Sequence, residues 1–437
     1  MVKFNRILSL LAVSSFYTFV TAKPVEEVEY FFGKYESGDC KALNKFLTKQ
    51  NVNLIACGMT KSNEDAVYVE IGGGNINQKV VNRIGTYSET LETVTFADIT
   101  SLPKNLNLES LEVSEIRFDN SELNRNGEVQ DVYIPKNVLK TAKNAGKIAI
   151  YEFNVSQKNI NEIGTLTELN TLDFDGCTFD DNIDYTNLKN LKNLTELRLD
   201  TIFMKGGKML KQLPESVCQM KKLKTLTLYR DDLTTLPKCI KNLKNLERLD
   251  VNLNELTSIP KEIGNLTKLK VANLEENEIE SIPVEFGKLT KLEELNLEGN
   301  KIATLPDEFG NLANLRKLDL SYNLIGSIPT AIGSLSNLEK LNLNNNKVYR
   351  IPSSITKLVN LNSLELNDNK IKVIADAIRK LKNLEGLSIA NNLLTELPEA
   401  LGELQKLTFL NLAGNDVTED DIPEALKKLT DINILLE

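Results

Sequence analysis

From Leu223 onward, apolar residues recur on a fixed schedule. With the first leucine of each unit as position zero, apolar side chains stand at offsets 0, 3, 5 and 10. The units begin at Leu223, Leu246, Leu269, Leu292, Leu315, Leu338, Leu361, Leu384 and Leu407, and every step is 23 residues. Offsets 3 and 5 alternate with polar residues, which is strand periodicity. In one unit Leu341 and Leu343 point inward while Asn342 and Asn344 point out. A unit this short cannot bury its apolar face alone, so the repeat predicts a stack of coils sharing one continuous core.

Offset 8 carries asparagine: Asn254, Asn277, Asn300, Asn323, Asn346, Asn369, Asn392 and Asn415, with Asp231 in the first unit. An amide donates and accepts at once, so stacked amides satisfy the backbone groups where each coil turns out of its strand. Proline follows at offset 14 in Pro237, Pro260, Pro283, Pro306, Pro329, Pro352 and Pro398, with Ala375 the exception. There its fixed φ is useful and no sheet N–H is lost.

These residues read L-x-x-L-x-L-x-x-N-x-L and then L-P-x-x-I-G-x-L, and the chain resembles the leucine-rich repeat family. The resemblance implies an α/β fold: a right-handed horseshoe solenoid with a parallel sheet on the concave face and short helical or extended segments on the convex face. The wording of "SIPTAIGSL" is similar to plant extracellular repeats, although their longer unit is not kept. Nine regular units fill 223–418. Before them, 66–222 carries the same offsets with uneven spacing. Leu194-Leu197-Leu199 and Leu169-Leu172-Phe174 are clear, with Cys177 at the asparagine position. Ala145-Ile148-Ile150-Phe153-Val155, Leu108-Leu111-Val113-Ile116, Leu91-Val94-Phe96-Ile99 and Ala66-Val69-Ile71 are weaker. Some of these starts lie closer than one coil, so at least one frame is wrong. The stretch 201–210, "TIFMKGGKML", breaks the spacing and predicts an edge loop.

Both ends of such a stack need covers. Residues 23–65 form the expected N-terminal cap, where 38–58 resembles the cap of plant extracellular members: a helix, then a cysteine just before the first strand. Residues 419–437 predict a closing amphipathic helix and a short strand.

Composition narrows the function. With no histidine and no tryptophan among 437 residues, a Ser-His-Asp triad, a Cys-His pair and a His-rich zinc site are excluded. Residues 1–22 have a basic start, an apolar core from Ile7 to Val20 and small residues at Val20-Thr21-Ala22, the pattern of a secretory signal peptide. Without them 50 basic residues face 61 acidic ones, a net charge of −11. That balance argues against nucleic acid and against anionic membranes. No further apolar run follows, so no membrane insertion is expected.

Five cysteines in a secreted chain leave one unpaired. Cys40 and Cys57 bracket the cap helix and are expected to bridge. Cys218 and Cys239 sit on the outer side of adjacent coils, close enough for a second bridge. Cys177 reads as a buried thiol without a base to activate it. Asn154, Asn193 and Asn265 head glycosylation sequons. The glycine-rich "EIGGGNIN" and "KGGKM" lack the Lys-Ser/Thr of a phosphate loop, and "DFDGCTFDDNID" lacks calcium-loop spacing. No metal and no cofactor are expected.

Function should lie in the outward columns of the strands, at offsets 2, 4, 6 and 7. Tyr229, Arg230, Asn252, Glu275, Glu276, Glu294, Glu298, Tyr322, Asn344 and Asn367 are the candidate binding residues. The glutamates cluster on two neighbouring coils, about 4.8 Å apart, where like charges repel. An open face does not desolvate paired carboxylates as a glycosidase must, so no catalysis is expected. The reading is a secreted or surface-associated module that binds a protein partner, favouring a basic one, through its concave face. The alternative is a carbohydrate or cell-wall binder, or a wall structural protein, against which the scarcity of outward aromatics counts.

Overall fold

The computed structural model describes residues 28–32, 38–60, 66–73, 76–121, 132–429 and 432–436. The leader and its cleavage region at Val20–Ala22 lie outside them. Each regular unit forms one coil. Its strand is three residues long, from Thr225–Thr227 in the first coil to Phe409–Asn411 in the ninth. Neighbouring strands pair in parallel with offset 3 always opposite offset 3: Leu226 with Leu249, Leu249 with Ala272, and Leu387 with Leu410. The register holds because a slip of one residue would turn every leucine to water.

The sheet continues through 66–222, where strands such as Glu196–Asp200, Thr171–Asp175 and Lys147–Tyr151 are five residues long. Among the described residues it comprises eighteen strands. On the opposite side the ninth regular coil carries a three-residue 3₁₀ helix, Glu419–Asp421, and each of the first eight a five-residue one, from Lys238–Asn242 to Glu399–Glu403. The preceding proline sets its entry, with φ near −69° at Pro237. Ala375 takes the same conformation, φ −72° and ψ 147°, without a ring to hold it. Between several of these helices glycine makes room: a Cβ on Gly287 would stand 2.2 Å from the Glu308 carbonyl oxygen.

The asparagines form the expected ladder and are buried, Asn415 partly so. Asn300 donates to the Leu274 carbonyl of the coil before it at 2.9 Å and to Leu297 and Glu298 of its own, and accepts from the Ile279 N–H at 3.0 Å. Asn254, Asn277, Asn323, Asn346, Asn369, Asn392 and Asn415 repeat the pattern. In the irregular half, Phe153 and Ile202 take that position, and Cys177 donates its thiol to the Ile150 carbonyl at 3.1 Å. Aromatic rings fill the space instead, Phe96 stacking on Phe118 at 5.3 Å and Phe118 meeting Phe153 edge-on.

Three expectations need correction. The frame beginning at Leu108 is wrong: the strand is Glu115–Asp119 with Ile116 and Phe118 inward, so the coil begins at Val113. Leu108 and Leu111 pack in the core on the way into it. At the N-terminus, Cys57 sits within the strand Asn53–Thr60 rather than before a first strand. That strand runs antiparallel both to Val28–Phe32 and to Ala66–Gly72, so the cap closes the sheet edge with reversed strands as well as with the helix Gly38–Lys49. Residues 201–210 are not a bare loop. Phe203–Met204 joins Thr178–Phe179 and Asn154–Val155 in a small parallel sheet, and Phe203 bridges back to Met209.

Cys40 is joined to Cys57, and Cys218 to Cys239 across two adjacent 3₁₀ segments. Cys177 is free and buried. The far end closes with the short helix Glu424–Lys427 and the strand Asn433–Leu435, which pairs in parallel with Phe409–Asn411. Among the described residues no helix is long and apolar enough to cross a membrane.

Candidate binding site on the concave face

Six of the ten candidate residues fall in one column. Tyr229, Asn252, Glu275, Glu298, Asn344 and Asn367 all occupy offset 6, half-buried along the sheet. Arg230, Glu276 and Tyr322 do not share it. They occupy offset 7, where the chain leaves the strand in the left-handed region, with φ 56°, 50° and 53°. Alternation ends at that turn, so these three line the rim of the face rather than its floor. Glu294 sits at offset 2 on the other side, in an ion pair with Lys317 at 2.7 Å.

The floor holds an acidic cluster. Asp250, Glu275, Glu298 and Asp319 face one another across the coils, with Glu276 above them. Burial pushes the Glu298 carboxyl up to about 7, and Asp319, Glu275 and Glu276 push it the same way. Glu275 is raised mainly by burial and then by Glu276, Asp319 and Asp250. Its Oε2 accepts from the Asn296 amide at 3.0 Å. Asp319 accepts from Ser321 and from the Asn342 amide. One cation approaches, Arg248 at 3.5 Å from Asp250, whose Oδ1 is buried without a hydrogen bond. No ion pair among the described residues reaches Glu275 or Glu298.

The amides further along are committed to the fold. Asn344 donates to Glu365 and accepts from the Asn367 N–H, while Asn367 accepts from Ser388 and the Ala390 N–H. At offset 4, Asn296 and Asn342 each accept from the N–H two residues on. This column braces the sheet.

A second constellation was not anticipated. On the concave face of the irregular half, Arg198 lies among Asp173, Asp175 and Asp200, at 3.7 Å from the first and 3.4 Å from the second, and bonded to Asp200. Asp200 is fully buried, which lifts its carboxyl to about 7 against the pull of Arg198. Tyr151 donates to Asp173 at 2.8 Å, and Arg117 covers the Tyr151 ring while bonding Glu115. Here the acids come with their cations. The signal available in sequence was the offset 4 column, which places Asp173, Arg198 and Arg117 in one line once the frames are right.

Asp231 marks the seam between the halves. It takes the ladder position, accepts from the Ile202 N–H at 2.7 Å and leaves Oδ2 buried without a partner. Burial pushes its carboxyl up to about 8. Burial also raises the Cys177 thiol to about 12, consistent with an inert sulfur.

Of the sequons, Asn265 is exposed at the end of its 3₁₀ helix and Asn193 is half-buried, its amide held by the Thr167 carbonyl. Asn154 is only 8% exposed and lies within the small parallel sheet, so the folded chain has no room for a glycan there. Among the described residues no cluster of acidic or cysteine side chains is arranged to hold a metal ion.

Comparison with known proteins agrees with this architecture. No curated protein sequence matches the chain. Among solved structures, a leucine-rich repeat protein of Leptospira interrogans is 26% identical, with TM-score 0.59 over 77% of this chain and 93% of that one. A plant peptide hormone receptor in complex with RGF2 is 23% identical, with TM-score 0.56 over 86% of this chain and 59% of that one. A chain of the Toll–Spätzle complex of Drosophila is 17% identical, with TM-score 0.65 over 92% of this chain and 60% of that one. A family model of the leucine-rich repeat region matches residues 149–301 and 306–435, and a single leucine-rich repeat matches 291–312. The chain belongs to the leucine-rich repeat family.

Proposed function

We propose that this protein is a non-catalytic binding module that takes a basic segment of a protein partner on the concave face of its regular half. The observation that carries the reading is the uncompensated acidic floor. Glu275 and Glu298 are half-buried and crowded by other carboxylates, with no cation paired to them. A lysine or arginine from a partner would relieve that repulsion and gain charge-assisted hydrogen bonds. Tyr229 on the floor and Tyr322 on the rim are side-chain types that anchor interfaces. The plant receptor and Toll chains were solved in complexes with RGF2 and Spätzle, which sets a precedent for the fold. Two disulfides and the leader-like N-terminus favour a secreted or cell-surface location.

The test uses the chain from Lys23, immobilised beside its Glu275→Gln/Glu298→Gln variant. Both are probed with a lysine-rich peptide, the secreted proteins of the source organism and a polysaccharide panel. The native chain should retain the peptide and a basic protein, and the variant should lose both. Retention should strengthen several-fold from pH 6 to pH 8, because Glu298 ionises across that range and only its ionised form attracts a cation. Retention of a polysaccharide alone, or equal retention by both chains, overturns the reading.

A further inference from the structure

We infer that the flank leading into the strands of the later coils carries a second site, separate from the concave face, which holds a neutral, hydroxyl-rich glycan chain laid along the solenoid. A groove of about 640 Å³ lies there, running from Glu293 to Glu385. Its line is set by offset −1, the residue before each first leucine. Asn314, Asn337, Asn360 and Asn383 take that place in four successive coils. Each braces the flank by donating to a carbonyl of the coil before it: Thr290 at 2.6 Å, Ala313 at 2.8 Å, Ser336 at 2.9 Å and Val359 at 2.8 Å.

Elsewhere on this flank lysine closes such amides. Lys222, Lys268, Lys291 and Lys406 hold offset −1 in other coils. The Lys268 ammonium donates to the Asn245 Oδ1 and Lys406 to the Asn383 Oδ1, both at 2.7 Å across one coil step. Lys222 does the same to Asn193 at 2.8 Å. Between Lys291 and Lys406 the lysines stop. Among the described residues no hydrogen bond reaches the Oδ1 of Asn314, Asn337 or Asn360. Offset −2 changes in step, from Lys221 and Lys244 to Thr290, Ala313, Ser336 and Val359, then back to Lys382. Short side chains at two neighbouring positions open the groove, and lysines stand at both of its ends.

The groups left open define the ligand. Each amide offers Oδ1 as an acceptor and its second Nδ2 hydrogen as a donor, and a hydroxyl can use both. Glu293 and Glu385 add acceptors and have no ion pair among the described residues. Glu339 grips Arg316 through both oxygens, at 2.8 and 3.1 Å. The surplus of acids turns away an anionic chain. An extended peptide is mismatched, since the groups on one of its edges recur about every 6.6 Å and the coils about every 4.8 Å. A pyranose ring in an extended glycan advances by about one coil and carries hydroxyls on both edges, so successive rings meet successive amides. Among the described residues no aromatic side chain lines the groove, so each ring binds weakly and affinity accumulates with chain length.

Ligand-observed NMR titration of the chain from Lys23 with cellohexaose, xylohexaose and chitohexaose tests this, with circular dichroism confirming that each variant folds. At least one hexamer should bind, and the corresponding dimer should bind at least about tenfold more weakly. Asn337→Lys places in the groove the lysine that other coils carry, where it can cap Asn314 as Lys268 caps Asn245. It should weaken hexamer binding at least about tenfold without loss of the fold. Lys406→Asn frees the Asn383 Oδ1 and lengthens the open row, and should tighten binding several-fold. Glu275→Gln/Glu298→Gln should bind the hexamer as the native chain does, so the result stands apart from that for the concave site. Failure of all three hexamers to bind, tighter binding of a polygalacturonate hexamer, or equal binding by the native chain and Asn337→Lys overturns the inference.

Discussion

The two halves of the sheet both line their concave face with carboxylates, and they treat them in opposite ways. In the irregular half, Asp173, Asp175 and Asp200 close around Arg198, and Glu115 holds Arg117. In the regular half, Glu275 and Glu298 have only amides and other acids for neighbours. A buried charge is costly unless it is paired. The first face meets that requirement internally, and the second does not. An acidic surface therefore says little about binding until its cations are counted.

Removing the internal cation is the most severe way to break this contrast. Arg198→Met should cost about 3–4 kcal/mol in urea unfolding, because Asp200 and Asp173 stay buried without their counter-charge. The figure sits low in the usual range since Arg198 itself is partly in water. Glu298→Gln should instead leave stability unchanged or raise it slightly. Comparable losses from both changes would mean that the two faces are built alike.

The ladders differ as the faces do. Asn300→Leu strips partners from three carbonyls and the Ile279 N–H, and should cost about 2–3 kcal/mol. Cys177→Val occupies the matching position but removes one weak thiol donor, and should cost less than about 1 kcal/mol. Equal costs would show that the aromatic-filled coils depend on their turn donors as much as the regular ones.

This difference explains what could be read from sequence. Nine coils were legible because one residue type at one offset does one job, and the job repeats every 23 residues. The frame at Leu108 failed because coil lengths vary there and the turn amide, Asn120, which bonds the Ile99 N–H and carbonyl, stands one offset early. The cap strand Val28–Phe32 was missed because its partner is set by chain reversal, which no period reports. On the binding face, offset 6 was legible from alternation. Offset 7 was misplaced because alternation stops where the backbone enters the left-handed region. The Arg198 network was overlooked although the Leu169 and Leu194 frames already set Asp173, Asp175, Arg198 and Asp200 on neighbouring strands, and only Arg117 needed the corrected frame.

The seam offers a gentler probe. Asp231 stands where eight other coils have asparagine, and its Oδ2 lacks the donor hydrogen those amides supply. Asp231→Asn should stabilise the protein by about 1–2 kcal/mol at neutral pH. The sign with pH follows from linkage. The folded carboxyl is raised to about 8, above its unfolded value, so the native chain is favoured at low pH and this contribution is lost as pH climbs towards 8. The Asn variant should lack that slope. An identical pH profile in both proteins would mean that Asp231 is ionised within the seam.

The smallest effect comes from the coil that carries Ala375 where seven others carry proline. Ala375 already holds φ −72° and ψ 147°, the geometry that proline imposes in the other coils, and its carbonyl accepts from Ile378 as theirs do. Its own N–H is not used in the sheet. Ala375→Pro should therefore add no strain and should stabilise by about 0.4–1 kcal/mol, through the freedom it removes from the unfolded chain. The comparison sharpens if the same change is made at Tyr185, which precedes the irregular-half helix Thr186–Asn190 as Ala375 precedes its own. There the backbone has ψ 4° and the ring packs against Phe179, so proline should destabilise instead. Opposite signs at the two sites would show that proline in this fold acts by matching a backbone already set by coil stacking.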